Sequence, residues 1–147
     1  MSALVGPLLL AQALATWALV GLIWTVQWVH YPLLAGFDRA RFTELHAAHT
    51  RRIGAIVAPL MLVEAATAVA AAVLLPDVWS AVGLALLLVV WGVTAGVSMP
   101  CHRRLASGFD EGVHRRLVSS NWLRTVAWSA RGVIVALPLM NLLEVLA

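Results

Sequence analysis

Four apolar runs, each of about twenty residues or slightly more, dictate what this chain can become. They extend roughly from Leu8 to Val29, Ile53 to Leu75, Val78 to Met99 and Trp122 to Leu143, the length at which a helix crosses the hydrocarbon core of a bilayer. Backbone amides in lipid have no water to bond, so such a run must close its hydrogen bonds internally as helix. The 147 residues are 62% hydrophobic and 12% charged, against about a quarter charged in a soluble domain. The expected fold is therefore all-α, an integral membrane four-helix bundle forming one domain over residues 1–147.

The first run carries no positive residue before Arg39 and is long for a secretory signal, so it reads as a retained helix. The single cysteine, Cys101, excludes an internal disulfide. Arginine supplies all ten positive residues, and eight of them (Arg39, Arg41, Arg51, Arg52, Arg103, Arg104, Arg115 and Arg116) lie in the two polar segments between runs one and two and between runs three and four. By the positive-inside rule these segments face the cytoplasm and both termini face outward, across the cell (inner) membrane. Interfacial arginines of this kind serve topology and anionic lipid headgroups. No nucleic-acid recognition module is present, so the basic balance implies no nucleic-acid partner.

The chain carries an internal repeat. His30-Tyr31-Pro32-Leu33-Leu34-Ala35-Gly36-Phe37-Asp38 aligns with His102-Arg103-Arg104-Leu105-Ala106-Ser107-Gly108-Phe109-Asp110 at an offset of 72 residues, and the same offset places His49 on Asn121 and Arg52 on Arg124. Two tandem helical hairpins, about 1–75 and 76–147, are expected, related by a pseudo-two-fold axis along the bilayer normal. In that arrangement His30 faces His102 and His49 faces Asn121. Gly36 and Gly108 suit left-handed helix ends, and Asp38 and Asp110 suit helix starts. Phe42, Leu45 and Ala48 then predict a short amphipathic helix at the interface or leading into run two, with a counterpart around Val113 and Leu117.

All five histidines, His30, His46, His49, His102 and His114, fall in or beside the two polar segments. Neutral imidazole is a common ligand for transition metals and a proton carrier near neutral pH. His30, His46, His49, His102 and Asn121 form a candidate ligand set for copper or iron, and His30 with His102 a candidate pair for haem. Alternatively each is an ordinary interfacial histidine bonded to water, headgroups or backbone. No HExxH or paired CxxC motif is present, so the signal is one of placement alone.

Glu64 and Arg131 lie deep inside runs two and four, where charges face the protein interior and pair. An ion pair between them is expected, either pinning two helices or handling protons beneath a histidine site. A lipophilic aromatic substrate resting on Trp24, Trp28 and Trp128 is a further possibility, while Gly83, Ala85, Gly92 and Gly96 offer a small-residue stripe for homo-oligomer contact. Pro32, Pro59, Pro100 and Pro138 end or kink the runs.

Gln27-Trp28-Val29-His30-Tyr31-Pro32-Leu33, His46-x-x-His49, Pro59-x-Met61-x-x-Glu64, His102, Gly108-Phe109-Asp110 and Asn121-Trp122-Leu123-Arg124-Thr125-x-x-Trp128-x-x-Arg131 together resemble a family of small bacterial four-helix membrane proteins. The second half is also similar to the anthrone-oxygenase-like family, a resemblance that implies oxidation of a phenolic substrate by dioxygen without an organic cofactor. Two functional readings follow. One is a membrane oxidoreductase or oxygenase acting on a lipophilic small molecule, with His30, His49, His102, Glu64 and Arg131 as catalytic candidates. The other is a noncatalytic subunit or assembly factor of a larger membrane complex.

Overall fold

The computed structural model describes the backbone of residues 2–146 and the side chains of residues 4–140. Four apolar helical segments are long enough to cross a membrane: Leu4–Ala35, Phe42–Leu74, Val78–Leu105 and Glu111–Met140, here spans one to four. Span one joins α1 (Ser2–Thr25), a π turn (Val26–His30) and α2 (Tyr31–Ala35). Span two is α3 (Phe42–Leu74). Span three joins α4 (Val78–Val93), a second π turn (Thr94–Ser98) and α5 (Met99–Leu105), and span four is α6 (Glu111–Leu146).

Each π turn stands immediately before a helix that opens with a proline, Pro32 or Pro100. Proline lacks the N–H of the ordinary turn and its ring collides with the carbonyl four residues back; a widened turn relieves both. These devices correspond at an offset of 100 − 32 = 68 residues, not the 72 of the sequence repeat. His30 therefore sits two residues before its proline and His102 two residues after its own. Four residues of helix displace His102 by about 6 Å toward the loops relative to a symmetric partner of His30.

The polar segments are shorter than expected, because the helices absorb them. Phe42, Leu45 and Ala48 form the first turns of α3, and Val113 and Leu117 those of α6, so no separate interfacial helix stands there. No glycine or proline interrupts residues 42–53, and a helix once nucleated propagates. Asp110 accepts a hydrogen bond from the Val113 amide at 2.8 Å and starts α6 as expected. Asp38 instead bonds the Ala40 amide inside the loop, and α3 starts without a side-chain cap. Gly108 adopts φ +145°, a conformation that favours glycine, whereas Gly36 stays right-handed at φ −85°.

Spans one and four form the centre of the bundle. α1 packs on both α3 and α6, and α6 packs in turn on α4, whereas α3 and α4, neighbours in sequence, touch far less. Leu19, Ile23, Val90 and Trp128 fill the middle of the core, and Leu34, Phe42, Leu105 and Leu117 fill its arginine-rich end. The seam between spans two and three is left as the open side.

One polar node ties all four spans together. The Glu64 carboxylate accepts from Thr16 Oγ1 at 3.0 Å, Trp128 Nε1 at 3.0 Å and Arg131 Nε at 2.9 Å, and Arg131 Nη1 donates to the Gly83 carbonyl. Glu64 and Arg131 have no solvent exposure, and the ion pair read from their depth in the sequence is formed. Gly83 makes room for this approach, since a Cβ there would stand 3.1 Å from Arg131 Nη1. That glycine of the small-residue stripe serves an internal contact, while Ala85, Gly92 and Gly96 lie exposed.

Candidate functional site

The open seam holds a groove of about 780 Å³, within the range of small-molecule sites. Its apolar walls come from span one (Leu22, Ile23, Val26), span two (Ile53, Val57, Met61) and span three (Trp91, Ala95). Along α3 it runs from His46 to Met61, fifteen residues and so about 22 Å. At the arginine-rich end the lining turns polar with Tyr31, His46, His49, Ser98, His102 and Arg124.

His46 and His102 share a hydrogen bond between His46 Nε2 and His102 Nδ1 at 3.1 Å, their rings stacked with centroids 5.4 Å apart. His46 is fully buried, held flat against Phe42 one turn earlier in α3. Its other ring nitrogen, Nδ1, is buried without a partner. Because one nitrogen of the shared bond must carry hydrogen and the other a lone pair, the two remaining nitrogens also differ: one is an N–H and the other an acceptor. A proton taken up at one end can be matched by a proton released at the other.

His30 and His49 form a second pair, edge to face with centroids 5.3 Å apart. His114 stands away from both, bonding the Tyr31 carbonyl at 2.8 Å through Nε2. The pairs thus join span one to two and span two to three, and the symmetric His30–His102 and His49–Asn121 pairings are not formed. The 68-residue spacing of the prolines against the 72-residue spacing of the histidines accounts for the first, and the bonds Asn121 makes elsewhere account for the second. Asn121 bonds the Gln27 side chain at 2.8 Å and receives Arg124 Nη1 at 3.1 Å.

This arrangement does not fit a metal or haem. Among the described residues no three His, Cys, Asp or Glu side chains are grouped to hold a metal ion, and Asn121 is committed to other side chains. A haem between His30 and His102 would need the two rings opposed across it, whereas each is occupied with a different histidine. Glu64 and Arg131 do not line the groove either; Arg131 lines a separate cavity of about 30 Å³ beneath Gln12 and Ser80. Trp24, Trp28 and Trp122 form an edge-to-face group on the outer surface of spans one and four, and Trp128 is buried on Glu64, so the tryptophan of the groove is Trp91.

Sequence reasoning missed Arg124, Tyr31 and Ser98 as site residues. Arg124 was visible as the repeat partner of Arg52, but nothing local distinguished it from a topological arginine. In the fold it is buried, its guanidinium 5.0 Å from the Trp128 ring and beside the Tyr31 hydroxyl. No family model matches the chain, and no curated protein or solved structure is significantly similar to it.

Proposed function

We propose that the protein is an integral membrane oxidoreductase that admits a lipophilic substrate from the bilayer through the seam between spans two and three. The His46–His102 pair removes a proton from the substrate's polar end. The observation that carries this reading is the meeting of one long apolar groove with a partly buried, proton-sharing imidazole pair at a single end of it. Apolar walls recruit and align the body of the molecule, and exclusion of water strengthens each polar contact at its head.

A phenol or hydroquinone gives up electrons far more readily as its anion. Proton transfer from the substrate hydroxyl to the free imidazole nitrogen therefore prepares such a substrate for oxidation, and the proton stays on the pair as an imidazolium whose N–H is held by the shared bond. Dioxygen is the acceptor implied by the resemblance to the anthrone-oxygenase-like family. The rows of loop arginines support placing this end of the bundle at the cytoplasmic face of the cell membrane.

The test uses purified protein in vesicles with an alkyl-substituted hydroquinone. Quenching of Trp91 reports occupancy and dioxygen uptake reports turnover. Gly54 lines the groove with no atom within 4 Å of where its Cβ would stand, so Gly54→Phe fills it without a clash at the backbone. Occupancy should fall in Gly54→Phe, and uptake should fall in His102→Ala while occupancy persists. Wild-type protein that binds no lipophile, or turnover indifferent to both substitutions, would refute the proposal.

A further inference from the structure

Span four carries two buried arginines, and among the described residues only one of them has a counter-charge. Arg131 meets the Glu64 carboxylate at 2.9 Å. Arg124 meets none: Nη1 donates to the neutral Asn121 Oδ1, the Trp128 ring and the Tyr31 hydroxyl lie alongside, and Nε is buried with no acceptor. Among the described residues the ion pairs are Glu64–Arg131 and Arg41–Glu44, and no aspartate or glutamate lines the groove that Arg124 faces. A guanidinium does not shed its proton, and a lone charge at this burial is costly to hold without a partner. The groove wall holds a second donor in the same condition, the Ser98 hydroxyl, 3% exposed and without a partner.

We propose that the missing charge belongs to the ligand: the groove binds its lipophile as an organic monoanion, with Arg124 as the anion receptor. This rests on the groove being the substrate site and names the substrate class, a lipophilic weak acid. The acid's O–H proton passes to the vacant imidazole nitrogen of the His46–His102 pair, and the oxygen left negative faces Arg124. Proton acceptor and anion receptor thus act on opposite products of one proton transfer. A single unpaired guanidinium matches a single negative charge, and the apolar length of the groove matches a long hydrocarbon body. Arg124 binds the anion and takes no proton itself.

A nitrophenol carrying an alkyl chain tests this directly, because its anion is coloured and its neutral form is not. In phosphatidylcholine vesicles containing the whole protein, the bound probe should ionise at least one pH unit lower than in empty vesicles, a tenfold shift in its acid equilibrium. Its methyl ether, which cannot ionise, should quench Trp91 with affinity roughly tenfold or more weaker, the order of a charged hydrogen bond. Arg124→Gln should abolish the shift and Arg124→Lys retain part of it; if Arg124→Gln does not fold, the comparison of phenol with ether in wild-type protein decides. An ether that binds equally well, or a probe that stays colourless when bound, overturns the anion receptor and leaves the groove standing. Failure of both probes to bind removes the groove reading itself. Adding phosphatidylglycerol should leave the colour change in place; its loss would mean that Arg124 serves a lipid headgroup, and would overturn the proposal.

Discussion

Replacing Arg131 with methionine removes the one formal positive charge that bonds Glu64 among the described residues, while leaving the Thr16 and Trp128 donors in place. Two terms of different size are at stake. Hydrogen bonds inside membrane bundles contribute about 0.6 kcal/mol each on average, so losing the bonds from Arg131 to Glu64 and to the Gly83 carbonyl accounts for about 1.2 kcal/mol. An uncompensated buried carboxylate costs about 3–5 kcal/mol, and both partners here have no solvent exposure to screen it. Arg131→Met should therefore destabilise by roughly 4 kcal/mol, close to three orders of magnitude in the folding equilibrium. Glu64→Gln should be similarly severe, since it strands the guanidinium. The double variant Glu64→Gln/Arg131→Met carries neither charge and should lose only the hydrogen-bond part, about 1–2 kcal/mol, making it more stable than either single variant. Reversible unfolding in mixed micelles, followed by helical circular dichroism, measures all four corners of the cycle. A double variant as unstable as the sum of the singles, or an Arg131→Met loss below about 1.5 kcal/mol, would refute the charge-compensation account.

Gly83→Ala should destabilise by about 1–3 kcal/mol in the same assay, because the new methyl group stands 3.1 Å from Arg131 Nη1 and pushes the guanidinium off its carbonyl. Pro100→Ala removes the reason for the π turn at Thr94–Ser98; the chain should relax to regular helix, rotate His102 away from His46, and lose turnover while retaining groove occupancy. Asp77 caps α4 by accepting from the Ser80 amide at 2.7 Å, and that bond holds its carboxyl below the ordinary value. A depressed carboxyl stabilises the fold above its unfolded pKa of about 3.9, and the contribution is lost as the pH falls through the folded value. The stability difference between wild type and Asp77→Asn should accordingly narrow below about pH 4, read from thermal unfolding across an acid series.

Much of this protein is determined by its sequence alone, through quantities that depend on composition and spacing. Apolar length fixed four spans, because lipid leaves a twenty-residue apolar run no alternative to helix. Depth along those spans identified Glu64 and Arg131 as partners, since two opposite charges in hydrocarbon have few other ways to be accommodated. Rotation and axial displacement between helices were decided by the tertiary structure. Two prolines spaced at 68 residues, acting through the π turns before them, moved His102 out of the symmetric register that the 72-residue repeat implied, and paired it with His46 instead of His30. Arg124 and Arg131 lie seven residues apart on one helix, yet packing gave Glu64 to one and left the other, read only as a repeat partner of Arg52, facing an open groove. Such choices depend on angstrom-scale contacts between segments far apart in the chain, which local spacing does not encode.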